Sequence, residues 1–387
     1  MLETCDVVVV GGGPSGLQCA LDLVKSGLKV VVLERVESPG DPNYSTCGIP
    51  YFTKDKFEIE DSCVVDYFDK IAFLSTRKTA LFKGQKKGGY VLDFRKFKNS
   101  ISEKIINAGG EVIYGAHASD IKIDERKKYQ ITYTKDSEVK TITSSFVVDG
   151  TSHDTSLSSK IGIKKNVKSN KTVGEEIIIK GKVPEFYKNN LTIHVGKKYF
   201  QHGYGWVFPF GEGIYKVGVI KYDVNSNNVD SHLTGNSLNS ELEAFTKTVI
   251  GTEYEILERH GGTLFLTSGR PVPSVGGYAL TGDAINMCNP MFAEGIRHAL
   301  ETGRMCAKAI KEAYDQNIYD LTDYNNAVNK YVGNSWKTSR IFANLFYHFP
   351  FDFARDIVAN QLSSLTFNDI LELGFNYKYY LLLETIF

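Results

Sequence analysis

A glycine cluster, Gly11-Gly12-Gly13-Pro14-Ser15-Gly16, stands directly after the apolar run Val7-Val8-Val9-Val10 and constrains the fold of this chain more than any other feature. The run reads as a short buried strand, and Leu17, Ala20, Leu21 and Val24 then recur at helical spacing. Strand, tight turn and helix in that order build a dinucleotide cradle. Gly11 permits the sharp turn, Gly13 the close approach of a pyrophosphate, and Gly16 the tight packing of helix on strand; the helix N-terminus offers N–H groups to the phosphate charge. Pro14 and Ser15 open that helix, and proline suits a first turn that needs no N–H. The second strand, Lys29 to Leu33, ends in Glu34, where a carboxylate can accept ribose hydroxyls and would repel a 2′-phosphate; Arg35 follows it.

A chain of 387 residues is long for one compact domain and suits two interleaved lobes plus an appendage. Lysine plus arginine and aspartate plus glutamate both number 45, and no basic block interrupts that balance, so nucleic acid is not an expected partner. The first strand begins almost at once, without a charged-then-apolar leader, and no apolar run approaches bilayer length. The expected location is cytoplasmic, at most peripheral at the inner face of the membrane. Six cysteines form no CxxC pair, so neither a zinc knuckle nor an iron–sulfur ligand set is expected.

The expected fold is α/β: a Rossmann-like cofactor domain, an interleaved antiparallel-sheet substrate domain and a C-terminal helical region. The cofactor domain is discontinuous, taking 1–51, 90–165 and 270–315. The substrate domain takes 52–89 and 166–269, where period-two strands dominate and one helix is read near Ser240 to Val249. Residues 316–387 read as helices rich in Phe and Tyr. A helix after Asp93 carries Phe97, Ile101 and Ile105 on one face and is closed by Gly109-Gly110.

Two further strand-then-turn units carry acids, Phe146-Val147-Val148-Asp149-Gly150 and Ala279-Leu280-Thr281-Gly282-Asp283-Ala284. An aspartate at a strand end is commonly a turn or cap residue, yet it can also hold a polyol. The helix that starts near Glu294-Gly295 and Ile296 would direct its positive end toward developing negative charge. Gly203-Tyr204-Gly205-Trp206-Val207-Phe208-Pro209 reads as a strand with three aromatic rings on one face and glycines on the other.

Gly11 to Gly16 with Glu34, then Asp149-Gly150, then Gly282-Asp283-Ala284 with Pro290 and Glu294-Gly295 together resemble the FAD frame shared by aromatic hydroxylases, flavin-dependent halogenases and geranylgeranyl reductases. The resemblance spans about residues 3 to 312 and implies FAD. No second glycine fingerprint is present, so a built-in nicotinamide domain is not expected. Tyr204-x-Trp206-x-Phe208-Pro209 is similar to the geranylgeranyl reductase motif that lines a prenyl-chain cavity, whereas the halogenases carry Trp-x-Trp-x-Ile-Pro. Tyr90-Val91-Leu92-Asp93 and Cys47-Gly48 are also similar to the reductase pattern, and Cys47-Gly48-Ile49-Pro50-Tyr51 is similar to the redox cysteine segment of coenzyme A disulfide reductases. Three positions depart from the pattern: Phe94 stands where arginine is usual and Arg95 comes next; Cys47-Gly48-Ile49-Pro50 lacks a further glycine; Ala293 replaces a glycine before Glu294-Gly295.

The resemblance implies an FAD-dependent reductase that saturates isoprenoid double bonds of a prenyl lipid or prenyl diphosphate, supplied with electrons by ferredoxin, reduced deazaflavin or NADPH. Tyr204, Trp206, Phe208 and Pro209 would bind substrate, and Cys47 would lie at the reacting edge, beside the cofactor. Cys47, Tyr204, Tyr215 and His202 stand as unranked proton donors. The alternatives are a monooxygenase or halogenase on the same frame, and an electron-transfer flavoprotein dehydrogenase.

Overall fold

The computed structural model describes residues 4–43, 45–154, 156–163, 170–200, 202–222, 235–266, 273–348 and 351–384. The chain divides into two compact units: one takes Met1–Asn43, Arg95–Ser169 and Thr267–Trp336, the other Tyr44–Phe94, Asn170–Leu266 and Lys337–Phe387. The helices after 316, expected as a region of their own, are shared between the units. The domain boundaries expected at 165/166 and 269/270 fall outside the described residues.

The first unit is built on parallel pairing. Strand Thr4–Val10 lies between Glu138–Asp149 and Val30–Leu33, with Val7 opposite both Phe146 and Val30. Tyr278–Leu280 extends the sheet beyond Glu138–Asp149, and Glu111–Ile113 extends it beyond Val30–Leu33. The central stretches 7–10, 30–33 and 146–148 are apolar and buried at every position because both faces are covered. Helices Pro14–Lys25 and Ile296–Asp315 approach so closely that a Cβ on Gly303 would lie 2.3 Å from the Ser15 carbonyl oxygen. The helix read after Asp93 forms as Phe94–Asn107, with Phe97, Ile101 and Ile105 buried.

The second unit carries a seven-stranded sheet ordered Tyr254–Leu266, Asn170–Gly181, Ile214–Tyr222, Gly203–Pro209, Leu191–Val195, Lys70–Leu74, Thr79–Lys83. One face is an apolar core: Ile177, Ile179, Val207, Tyr215, Val217 and Val219 pack with Leu238, Leu242 and Phe245 of helix Gly235–Val249. That helix begins five residues before the expected Ser240. The opposite face carries the alternate residues, which include Glu176, Tyr204, Trp206, Phe208 and Lys216. A small sheet of Gly48–Pro50, Gly89–Leu92 and Val64–Phe68 belongs to the same unit.

His194 is fully buried on the core face between Tyr187, Tyr199 and Phe245, at centroid distances of 5.0–5.7 Å, and neither ring nitrogen has a hydrogen-bond partner. Burial pushes its imidazole down to about 3, with Lys198 acting in the same direction. The folded protein therefore holds this ring neutral, while the unfolded chain takes up a proton near the ordinary 6.5. Stability from this residue is complete above pH 6.5 and drains away as pH falls toward 3, by about 1.4 kcal/mol for each pH unit. His194→Phe is expected to flatten that part of the acid slope; denaturant titrations of both proteins at pH 7, 6 and 5 measure the difference, and parallel slopes would disprove the assignment.

Candidate functional site

Within the first unit, helix Pro14–Lys25 opens at Gly13, and no side chain caps it. Gly11 holds φ +105, and a Cβ there would fall 2.6 Å from the Gly150 carbonyl oxygen; at Gly16 it would fall 2.2 Å from that of Gly11. At Gly13 a Cβ would meet no protein atom within 4 Å. Packing thus demands glycine at 11 and 16, whereas at Gly13 the space is open. Glu34 closes the turn from the strand side, its carboxylate accepting from the N–H groups of Gly12 and Val36.

Asp149 is fully buried and engaged by the fold itself. Its Oδ1 accepts from Thr151 N (2.9 Å) and Oγ1 (2.5 Å), and its Oδ2 from the Tyr278 hydroxyl (2.7 Å). It braces the turn that brings Gly150 against Gly11. Gly282 holds φ +63, with Ser15 Oγ 2.4 Å from where its Cβ would be, so the third motif closes directly on the first. Asp283 keeps partial exposure, yet burial pushes its carboxyl up to about 6 with no cation to offset it. Hydroxyl groups of a ligand would supply the missing donors. Arg35 is exposed, and Arg95 donates from Nε to Asp41 Oδ1 at 3.0 Å.

Helix Ile296–Asp315 starts after Gly295 without a side-chain cap. Sequence reading passed over the two residues that secure this start. Arg297 donates to Glu294 from Nε (2.7 Å) and Nη2 (2.9 Å), and His298 Nε2 lies 3.3 Å from the same carboxylate while its Nδ1 meets the Tyr331 hydroxyl. Burial opposes ionisation of Glu294, but His298 and Arg297 outweigh it and hold the carboxyl down to about 2. Ala293 holds φ +52, a left-handed conformation that favours glycine, and this explains why glycine is usual there.

In the second unit, Tyr204, Trp206 and Phe208 stand together on the face opposite the apolar core, as the alternation predicts. Tyr204 and Tyr222 both stack on the buried ring of Tyr347, at 5.8 and 4.4 Å between centroids. Gly48 packs on Phe208, whose ring carbon lies 3.2 Å from the missing Cβ, so the Cys47-Gly48 segment and the aromatic strand are brought together. Pro209 is half-buried opposite Tyr215, and Tyr215 itself points into the apolar core. Cys47 is buried at φ +58, rare for a residue with a side chain. Burial pushes its thiol up to about 12, with Lys216 pulling the other way.

Among the described residues no cluster of His, Cys, Asp and Glu could hold a metal ion, and no helix is long and apolar enough to cross a membrane.

Gly13→Val is expected to lose FAD on desalting while the apoprotein melts within a few degrees of the parent, because the added Cβ strikes ligand space and no protein atom. Absorbance of the released flavin and a melting curve on the same sample decide it; full flavin retention would empty the cradle of its assigned role.

Residues 6–195 match the model of the family described as FAD dependent oxidoreductase. A digeranylgeranylglycerophospholipid reductase of Haloferax volcanii is 25% identical over 334 residues, covering 83% of this chain and 79% of that protein. A geranylgeranyl bacteriochlorophyll reductase-like crystal structure from Thermoplasma acidophilum superposes with a TM-score of 0.87 at 20% identity, over 100% of this chain and 96% of that one. A flavin-dependent brominase structure superposes with a TM-score of 0.72 at 20% identity, over 96% and 93% of the two chains. These structural likenesses establish the fold. With the glycine cradle, the open position at Gly13 and the unpaired Asp283 all fitting FAD, the protein is an FAD-dependent oxidoreductase.

Proposed function

We propose that this oxidoreductase saturates isoprenoid double bonds of geranylgeranyl chains, the activity named for its curated relatives. The observation that carries this reading is the sheet face of the second unit, where Tyr204, Trp206 and Phe208 are turned away from the apolar core, Tyr204 buried against Tyr347 and Trp206 and Phe208 each left partly exposed. A face of this kind suits a long hydrocarbon chain. Reduced FAD, when bound, supplies the hydride chemistry. An isolated alkene accepts hydride poorly, so binding must fix the double bond and exclude water to supply much of the rate.

The chain's own residues divide that work. Tyr204, Trp206 and Phe208 hold the hydrocarbon. Cys47 Sγ keeps its proton at neutral pH, because burial disfavours the thiolate, and is the donor we assign to the second alkene carbon. Of the other candidates, Tyr215 belongs to the core on the far side of the sheet, and His202 is turned toward the Tyr347 carbonyl oxygen, 3.4 Å from Nδ1.

Substrate access supports contact with a lipid surface. Ile341 and Leu345 on helix Ser335–His348, and Phe353 and Ile357 on helix Asp352–Leu362, are large apolar side chains with about half or more of their surface exposed. The parent is expected to co-sediment with vesicles of archaeal-type diether lipid, and Leu345→Asp/Phe353→Asp to stay in the supernatant; equal sedimentation would refute the contact.

Under anaerobic conditions, with chemically reduced flavin, geranylgeranyl lipid is expected to gain two hydrogens per bond reduced, read by mass. Hydroxylated or halogenated product formed only in air, without saturation, would instead support the chemistry of the brominase-like relatives. Cys47→Ala is expected to slow saturation at least tenfold with flavin content unchanged, whereas parental rates would leave Cys47 a packing residue.

A further inference from the structure

The row that crosses the seven-stranded sheet at Trp206 contains an unusual sequence of neighbours: Ile193, Trp206, Gly218, Glu176 and His260 lie opposite one another on five successive strands. Gly218 lacks the side chain that would separate Trp206 from Glu176. A Cβ there would lie 2.1 Å from Trp206 Cζ2, so the indole lies flat across this notch and reaches the next strand but one. Its Nε1 donates to Glu176 Oε2 at 2.8 Å.

Glu176 is buried and collects four partners. Oε2 also accepts from Thr46 Oγ1 (2.5 Å); Oε1 accepts from His260 Nε2 (2.8 Å) and faces Lys216 Nζ at 3.8 Å. Lys216, also fully buried, donates to the carbonyl oxygens of Ser45 (2.8 Å) and Thr46 (3.3 Å). Burial opposes ionisation of Glu176, but Lys216, His260 and Thr46 outweigh it and keep the carboxyl below its usual range. Apolar residues of similar volume would generally pack here at no loss of stability. What the buried ions add is a fixed geometry, since each partner is held at a defined oxygen.

We propose that Glu176 is a positioning residue for alkene reduction: it fixes the plane of the Trp206 indole and, through Thr46 and Lys216, the left-handed turn that carries Cys47. The proposal rests on the reductase reading, because that reading gives the aromatic face and the thiol their purpose.

The experiment uses the holoprotein with Trp336→Phe as background, which leaves Trp206 the sole tryptophan. Glu176→Gln keeps the volume and one acceptor oxygen but removes the charge that holds Lys216 and His260. It is expected to lower the fluorescence anisotropy of Trp206, shift its emission to the red and reduce the rate of saturation per bound flavin at least tenfold, with FAD content unchanged. Thr46→Val, which deletes a single donor and leaves the ion cluster intact, is expected to reduce the rate by a smaller factor with little change in melting. A Glu176→Gln protein that melts lower yet keeps parental anisotropy and parental rate per flavin overturns the proposal, as does altered anisotropy with an unchanged rate. A parent protein that saturates no lipid refutes the reductase reading instead, and anisotropy alone then decides whether Glu176 orients the indole.

Discussion

The first unit depends on close approaches to glycine backbone at points where no side chain could be tolerated. Gly11 meets the Gly150 carbonyl, Gly16 meets that of Gly11, Gly282 meets the Ser15 hydroxyl, and Gly303 meets the Ser15 carbonyl. Each contact joins segments that are distant in sequence, apart from the pair inside the first turn. The motifs near residues 11, 150 and 282 are therefore a single packed object, and a Cβ at any of these junctions would push the packed segments apart. Gly13 differs from the rest, since nothing in the protein forbids a side chain there. The same distinction separates Asp149, whose oxygens are used by Thr151 and Tyr278, from Asp283, whose carboxyl meets burial without compensation. One set of residues builds the turn, and Gly13 and Asp283 are the positions we propose for FAD.

The seven-stranded sheet shows how the same alternation serves two unlike surfaces. Ile177 and Ile179 of Asn170–Gly181 and Tyr215, Val217 and Val219 of Ile214–Tyr222 enter an apolar core under helix Gly235–Val249, and the alternate residues Glu176, Ile178, Lys216 and Ile220 face the other way. Shifting Ile214–Tyr222 by one residue would exchange Val217 for Lys216, and shifting Asn170–Gly181 would exchange Ile177 for Glu176; either places a charge in the core, so the register that stabilises the unit also orders its opposite face. His194 obeys the alternation at a cost, as an imidazole among aromatic rings with neither nitrogen bonded.

Much of this was legible in the sequence. The glycine fingerprint, the strand-turn-helix unit around it and the face shared by Tyr204, Trp206 and Phe208 follow from spacing alone, because the periods of helix and strand are set by the backbone. The partners of that face were not legible. Glu176, Lys216 and His260 are far apart in the chain, and nothing in their spacing joins them. Their meeting requires the register of four strands and the absence of a side chain at Gly218. Neither quantity is local. Arg297 and His298 escaped notice for a related reason: a helix with polar residues in its first turn is normally solvated there, and only the buried Glu294 turns them inward. Ala293 was legible as a departure from a pattern, though its backbone angle supplies the cause.

The buried charges of the second unit make sense when set against the chemistry proposed for it. An apolar face binds hydrocarbon without specifying where along the chain it sits, because dispersion and burial are nearly indifferent to small displacements. Reduction of one double bond is not indifferent, and a misplacement near an ångström can cost about a hundredfold in rate. Rigid aromatic rings reduce that freedom only if their own planes are fixed. Tyr204 is held by stacking on Tyr347, and Trp206 by the Gly218 notch and a hydrogen bond to a carboxylate that cannot relax toward water. The same carboxylate restrains the turn at Cys47 by way of Thr46. A surface that is chemically unselective thus acquires geometric selectivity from an ionic cluster beside it, at the energetic cost of keeping glutamate and lysine out of water.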